Sequence, residues 1–306
     1  MMKRREFVKG LSIASVSLSL PSLGFAQAQL RTTQLGNKLS LISGAGCNVV
    51  VAEGPESLVV IDGGLEKHAE VLSREINKIA PGKPISTLFN TNWRPEHIGL
   101  NERLGGTSTN IIAHENTRLW QGADFYVDWE DKHYKALAKD KQANRSFYKT
   151  GTLILGDEII EYGHLSQAHT DGDIYVRFIN ANILVVSDLL AVDTYPVLDY
   201  VTGGWIGGLQ GATNALLEMS DDSTKIVAAE GVVQNKSALQ AQNTMLTKAY
   251  EGVSNAFKTG RSVQEFKDSR PMAEFESSRG DASLFLSLVY QGTWYHVPGR
   301  AVPGII

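Results

Sequence analysis

Only one cysteine, Cys47, occurs in the 306 residues, so no intrachain disulfide can close. Cys47 lies beside a strand-like run and has no histidine near it in sequence, so it reads as a core residue rather than a nucleophile. A phosphate loop is also missing: neither Gly203-Gly204 nor Gly207-Gly208 is followed by Gly-Lys-Ser/Thr. Basic stripes are absent outside the N-terminus. Lys3, Arg4, Arg5 and Lys9 against Glu6 give residues 1–28 a net charge of +3, while the whole chain is −4. The remainder is therefore −7, and an acidic body of this kind argues against a nucleic-acid partner. Beyond the N-terminus there is no long apolar run, so no membrane span is expected there.

The basic start is followed by an apolar run from Leu11 to about Phe25 and then by Ala26-Gln27-Ala28. Adjacent arginines, a short Ser-containing apolar stretch and small residues at the end describe a cleaved twin-arginine signal peptide over residues 1–28. A periplasmic protein of residues 29–306 is the expectation. With 42% hydrophobic and 20% charged residues, that body has an ordinary globular composition and enough chain for one sizeable core.

Residues 29–37 read as a loose N-terminus. Leu39–Ile42, Asn48–Glu53 and Leu58–Ile61 read as strands, the last two a hairpin over Gly54-Pro55. Ala69, Leu72, Ile76 and Ile79 follow a 3.6-residue period, which predicts a helix over Glu66–Ala80. Ile85–Phe89 is a strand candidate, followed by a turn, a helix to about Leu104 and a strand at Asn110–Ala113. Residues 122–148 are polar and aromatic, with weak periodicity, and read as an insertion with some helix over one face. Strand patterns return at Thr152–Leu155, Ile159–Tyr162, Ile174–Phe178, Ile183–Val186 and Lys225–Ala229. Helices are predicted at about 207–219, 237–258 and 282–292. Two β-rich halves, each followed by helices, predict an α/β fold, a four-layer αββα sandwich.

The densest polar stretch is Asn90-Thr91-Asn92-Trp93-Arg94-Pro95-Glu96-His97-Ile98-Gly99, at a strand-to-helix turn. The C-terminal end of a strand is where α/β sheets place their chemistry. The stretch resembles the H-x-H-x-D-H-x-G loop of the metallo-β-lactamase superfamily. Asn92 and Arg94 stand for its first two histidines and Glu96 for its aspartate, while His97 is retained. Three further strand ends fit the resemblance. His169 in Ala168-His169-Thr170-Asp171-Gly172-Asp173 matches His-T-x-G-D, and Asp188 in Ser187-Asp188-Leu189-Leu190 matches G-D-L-F. Glu230 in Ala229-Glu230-Gly231 falls where the family has a histidine. The resemblance spans about residues 38–235. It also implies that Asp62 caps backbone N–H groups of the Asn90 loop.

Carried over, Asn92, Arg94 and His169 would line a first metal position. Glu96, His97 and Glu230 would line a second, with Asp188 between the two. An amide is a poor donor, and a guanidinium repels cations, so the first position does not suit zinc. Arg94 could supply a built-in positive charge there. Glu96, Asp188 and Glu230 against Arg94 leave two negative charges, which one divalent ion would balance. Zinc, manganese or iron are the candidates, with oxygen-rich ligation moving the preference away from zinc.

The expected function is a metal-dependent hydrolase of a small ester, amide, lactone or phosphoester, with Arg94, His169 and Asp188 as catalytic residues. Metal ligands would be Glu96, His97, His169, Asp188 and Glu230. Asn92, Tyr195, Tyr200 and Trp205 would contact substrate. The alternative is a non-catalytic binding protein in which Arg94 pairs with Glu96 and Glu230. His114 and His164 read as structural, and His68, His133 and His296 as surface residues.

Overall fold

The structure, a computed structural model, describes residues 29–296. The twin-arginine segment lies outside the described residues. The chain begins with strands β1 (Arg31–Gly36), β2 (Leu39–Ser43), β3 (Val49–Glu53) and β4 (Leu58–Ile61), then helix α1 (Ala69–Ile79) and strand β5 (Ile85–Phe89). Two short helices follow, α2 (Pro95–Ile98) and α3 (Asn101–Leu104), then β6 (Asn110–His114) and α4 (Glu115–Gln121). The insertion holds β7 (Phe125–Val127), β8 (Lys132–Tyr134) and β9 (Arg145–Phe147). The second half runs β10 (Thr150–Leu155), β11 (Glu158–His164), β12 (Ile174–Phe178), β13 (Ile183–Ser187), α5 (Ile206–Met219) and β14 (Lys225–Ala228). Helices α6 (Lys236–Lys258), α7 (Val263–Asp268), α8 (Glu276–Arg279) and α9 (Ser283–Trp294) complete it.

Two sheets stack face to face, one ordered β1-β2-β3-β4-β5-β6-β9 and the other β10-β11-β12-β13-β14. Strand periodicity explains the layering. In β4, Val59 and Ile61 point into the space between the sheets, while Leu58 and Val60 point to α1. In β13, Ile183 and Val185 face the first sheet, and Leu184 and Val186 face the helices. Both strands are buried on both faces, which is why they are continuously apolar. Leu72 and Ile76 of α1 cover the first sheet. Leu209 of α5, Leu246 of α6 and Leu288 of α9 cover the second. The result is the αββα sandwich. None of the described helices is long and apolar enough to cross a membrane.

Two expectations need correction. Residues 31–36, read as loose, form β1 and pair antiparallel with β2. The insertion, expected to hold some helix, has only short 3-10 turns at Asp128–Glu130 and Lys139–Lys141 and is otherwise built of strands. Its β7–β8 hairpin turns at Asp131, which has φ 51°, and its β9 adds the seventh strand. Phe125 and Tyr134 form that hairpin because Trp93 gives them an aromatic surface, with ring centroids 4.9 and 4.8 Å away.

The fold brings the ends of β4, β5, β13 and β14 together. β4 and β5 are parallel, as are β13 and β14. Asp62, the Asn90 loop, Asp188 and Glu230 follow these strands, and His169 precedes β12. Ile174 donates its backbone N–H to the carbonyl of Thr91 (3.0 Å), linking the two halves at this edge.

Candidate functional site

Asp62 forms the floor. It is buried, with φ 64°. Its carboxylate accepts from the Thr91 N–H (2.9 Å), the Thr91 hydroxyl (2.9 Å) and the Ser187 hydroxyl (3.2 Å), and lies 3.0 Å from His97 Nδ1. The backbone cap implied by the resemblance is therefore present. His97 Nε2 lies 2.7 Å from Asp188 Oδ2. Burial alone would push the His97 pKa down, but Asp62 and Asp188 outweigh it and hold it well above the ordinary value. Burial would likewise raise the Asp188 pKa, but His97 and His169 pull it below the ordinary carboxylate range. Asn92 donates to Asp188 Oδ2 (2.8 Å), and its carbonyl oxygen accepts the Arg94 N–H (2.9 Å).

His169 is only 3% exposed. Its Nδ1 lies 2.9 Å from the Val197 carbonyl oxygen. Its Nε2 is buried without a hydrogen-bond partner and lies 3.7 Å from Asp188 Oδ2. The loop carrying it is fixed by Asp173, which accepts from the Thr170 N–H (2.6 Å) and hydroxyl (3.0 Å). Gly204 backs the same loop. A Cβ there would stand 2.0 Å from the His169 carbonyl oxygen, so only glycine permits this approach.

Arg94 forms one wall of a cleft of about 350 Å³. Its guanidinium is not aimed at Asp188. It bonds Glu130, lies 3.5 Å from Asp199 Oδ2 and sits over the rings of Trp93, Trp129 and Tyr134. The alternative pairing of Arg94 with Glu96 and Glu230 is replaced by Glu130 and Asp199. Glu96 reaches only to 4.0 Å from Arg94 Nε, and Glu230 is exposed with no ion pair among the described residues. Both line the cleft without being gathered onto His97 and Asp188. Tyr195 also lines it, its ring stacked on Phe285. Tyr200 and Trp205 do not. Tyr200 donates to Asp128 and stacks on Tyr295, and Trp205 stacks on His296.

Sequence reasoning missed Glu130 and Trp129, which belong to the weakly periodic insertion. It also missed Asp199, although Asp199 directly precedes Tyr200, one of the expected substrate contacts. The signal there was the unbalanced charge of Arg94.

A pair of metal ions does not fit this donor set. Asn92 is committed to Asp188 and the Arg94 backbone, and the Arg94 side chain is turned away and cationic. A single divalent ion suits the chemistry of His97, His169 and Asp188, although their ligand atoms are not all drawn within 4.8 Å of one another. Each imidazole has its Nδ1 held from behind, by Asp62 for His97 and by a carbonyl for His169, with Nε2 directed to the Asp188 carboxylate. That is the usual support of metal-binding histidines, and two histidines with one carboxylate are a competent ligand set. The unpartnered Nε2 of His169 is the mark of a missing neighbour.

Among the described residues, Cys47, Asp62 and His97 are the group whose potential ligand atoms lie within 4.8 Å of one another. It is a floor rather than a cage, because Asp62 already accepts from Thr91 and Ser187. It is not a nucleophile–base pair either, since both ring nitrogens of His97 face carboxylates. Burial pushes the Cys47 thiol pKa up, against the influence of His97.

The sequence model of the metallo-beta-lactamase superfamily matches residues 42–231, more than half of the chain. The chain belongs to the metallo-beta-lactamase superfamily. No match was found among curated proteins. Among solved structures, a metallo-beta-lactamase from Pontibacter korlensis is similar, with a TM-score of 0.59 and 16% identity, covering 72% of this chain and 99% of that one. The DIM-1 metallo-beta-lactamase is similar with a TM-score of 0.57 and 17% identity, over 72% and 98% of the two chains. A stereoselective inverting sec-alkylsulfatase, Pisa1 from Pseudomonas sp., has a TM-score of 0.66 and 15% identity, covering 89% of this chain but 51% of that one. At these identities the likenesses establish the superfamily fold. Set against the motifs that the sequence resembles, His97, His169 and Asp188 are matched, while Asn92, Arg94 and Glu230 stand where histidines are expected.

Proposed function

We propose that this superfamily member is an exported hydrolase of small esters, amides, lactones or phosphoesters, working with one divalent ion at most. His97, His169 and Asp188 would hold the ion, of zinc, manganese or iron type by its nitrogen and oxygen donors. The observation that carries this is the pair of rings pinned at Nδ1 and facing one carboxylate through Nε2. The hydrolase neighbours in the superfamily support the reaction class.

When bound, such an ion acidifies a water molecule near neutral pH. The chain's own residues do the rest. Asp62 and the Val197 carbonyl fix the two rings, and Asn92 orients Asp188. Arg94 does not supply a free positive charge to a developing oxyanion, because Glu130 and Asp199 have taken it up. It holds Trp129 and Tyr134 as a wall that orients substrate and keeps water out. Leu190, Val192 and Pro196 supply apolar lining elsewhere in the cleft.

A non-catalytic binding protein is the second reading, favoured by the commitment of Asn92 and Arg94 to protein partners. Metal analysis joined to an ester-hydrolysis screen separates the two. The hydrolase reading expects about one ion per chain, and turnover that stops on chelation and in His169→Ala. No ion and no turnover would leave the binding reading. Export to the periplasm is proposed from Arg4-Arg5. Lysine at both positions should strand the precursor in the cytoplasm, and normal secretion of that variant would point to the general secretory route.

A further inference from the structure

We infer that the cleft selects a small molecule carrying a positive charge, an ammonium group attached to a short ester or amide. This rests on the hydrolase reading for the bond that is cleaved, but not for the binding itself. Four carboxylates line the cleft: Glu96, Glu130, Asp188 and Glu230. Among the described residues, Arg94 is its one lysine or arginine. Four negative charges against Arg94 and the proton held on His97 leave two, and a divalent ion in place of that proton would still leave one. The field in the cleft therefore favours a cation with or without metal.

Local geometry sharpens this balance. Arg94 is bound by Glu130 and has Asp199 3.5 Å away, so two carboxylates already balance its charge, while its Nη1 keeps no hydrogen bond. Glu230 is exposed and has no partner among the described residues. Glu96 has a side chain 38% exposed, with its one ion-pair contact at 4.0 Å. These two groups are available to an incoming ammonium. A separate observation shows that the cleft is built to receive something. His169 Nε2 is buried, unpartnered and part of the cleft lining. Leu190, Val192, Pro196 and Val197 give the hydrocarbon part of such a molecule an apolar surface.

The test uses acetylcholine and its neutral carbon isostere, 3,3-dimethylbutyl acetate. Both are titrated calorimetrically into the mature protein, once with chelator and once with zinc. The expected result is at least tenfold tighter binding of the cationic ester, weakening as salt is added. Glu230→Gln and Glu96→Gln should each reduce the preference about threefold, and both substitutions lie on accessible side chains. Equal binding of the two esters, or a preference untouched by both variants, overturns the inference. Cation preference without turnover supports it while removing the hydrolase reading. Turnover without preference does the reverse.

Discussion

Asp62 holds more of the site than any other side chain, and it touches no expected substrate. Thr91 gives it a backbone and a hydroxyl donor, Ser187 a second hydroxyl, and His97 a ring nitrogen. All four belong to buried residues. Removing the carboxylate strands a buried N–H and a buried imidazole together. Asp62→Ala should therefore lose about 3–5 kcal/mol of stability, the range for breaking a buried charge pair from one side. Urea denaturation reads this directly, and an unchanged midpoint would show that the loop holds itself. This role was legible before the structure through the resemblance to the superfamily, which implies a cap by an aspartate at this strand end. His97, His169 and Asp188 were legible in the same way, through motifs that resemble those of the superfamily. The partners of Arg94 were not. Glu130 is 36 residues away and Asp199 lies in another loop, and no local pattern ties either to Arg94.

At the scale of elements, the β7–β8 hairpin is the addition that gives the cleft its wall. Its strands have three residues each, too few for a period of two to stand out, so the segment read as weakly periodic with some helix. What makes it a hairpin is tertiary. Val127 and Tyr134 bury against Trp93, and Arg94 clamps Glu130 while lying over Trp129 and Tyr134. Arg94→Met should keep much of the packing but leave Asp199, 0% exposed, facing Glu130 without a cation. The expected cost is about 3–5 kcal/mol, with faster amide exchange concentrated at residues 125–134. Arg94→Lys should rescue it poorly, because an ammonium cannot reach two carboxylates through a fixed fork. Exchange rates in the hairpin equal to those of the unaltered protein would mean that the aromatic cluster alone holds it.

The whole molecule is two sheets closed on one core, and that plan was readable because buried strands such as Leu58–Ile61 and Ile183–Ser187 divide their side chains between two layers. The pairing of side chains across the sheets was not readable, and one such pair gives the molecule an acid limit. His114 ends β6 of the first sheet and His164 ends β11 of the second, and their rings stack 3.6 Å apart at 9°. His114 Nδ1 accepts the Asn116 N–H (3.2 Å), which caps α4, so a proton there would break the cap. Burial, then the neighbouring His164, lowers the His114 pKa to about 4. Burial lowers that of His164 as well. Unfolded histidines take up protons near pH 6.5, so between about 6.5 and 4 the unfolded chain binds more protons than the folded one. Stability must then fall as the pH drops through that window, and this contribution is flat above it. Asp173 and Asp171 act in the opposite sense. Burial raises their pKa values to about 7 and about 6, so their protonation favours the folded state as the solution becomes acidic. The net slope is a contest, and a variant isolates one side of it. His114→Asn keeps a cap-forming residue and removes the titrating ring. Its melting temperature should fall less than that of the unaltered protein between pH 7 and 4.5, even if it starts lower. Parallel melting curves across that range would show that the stacked pair does not set the acid limit.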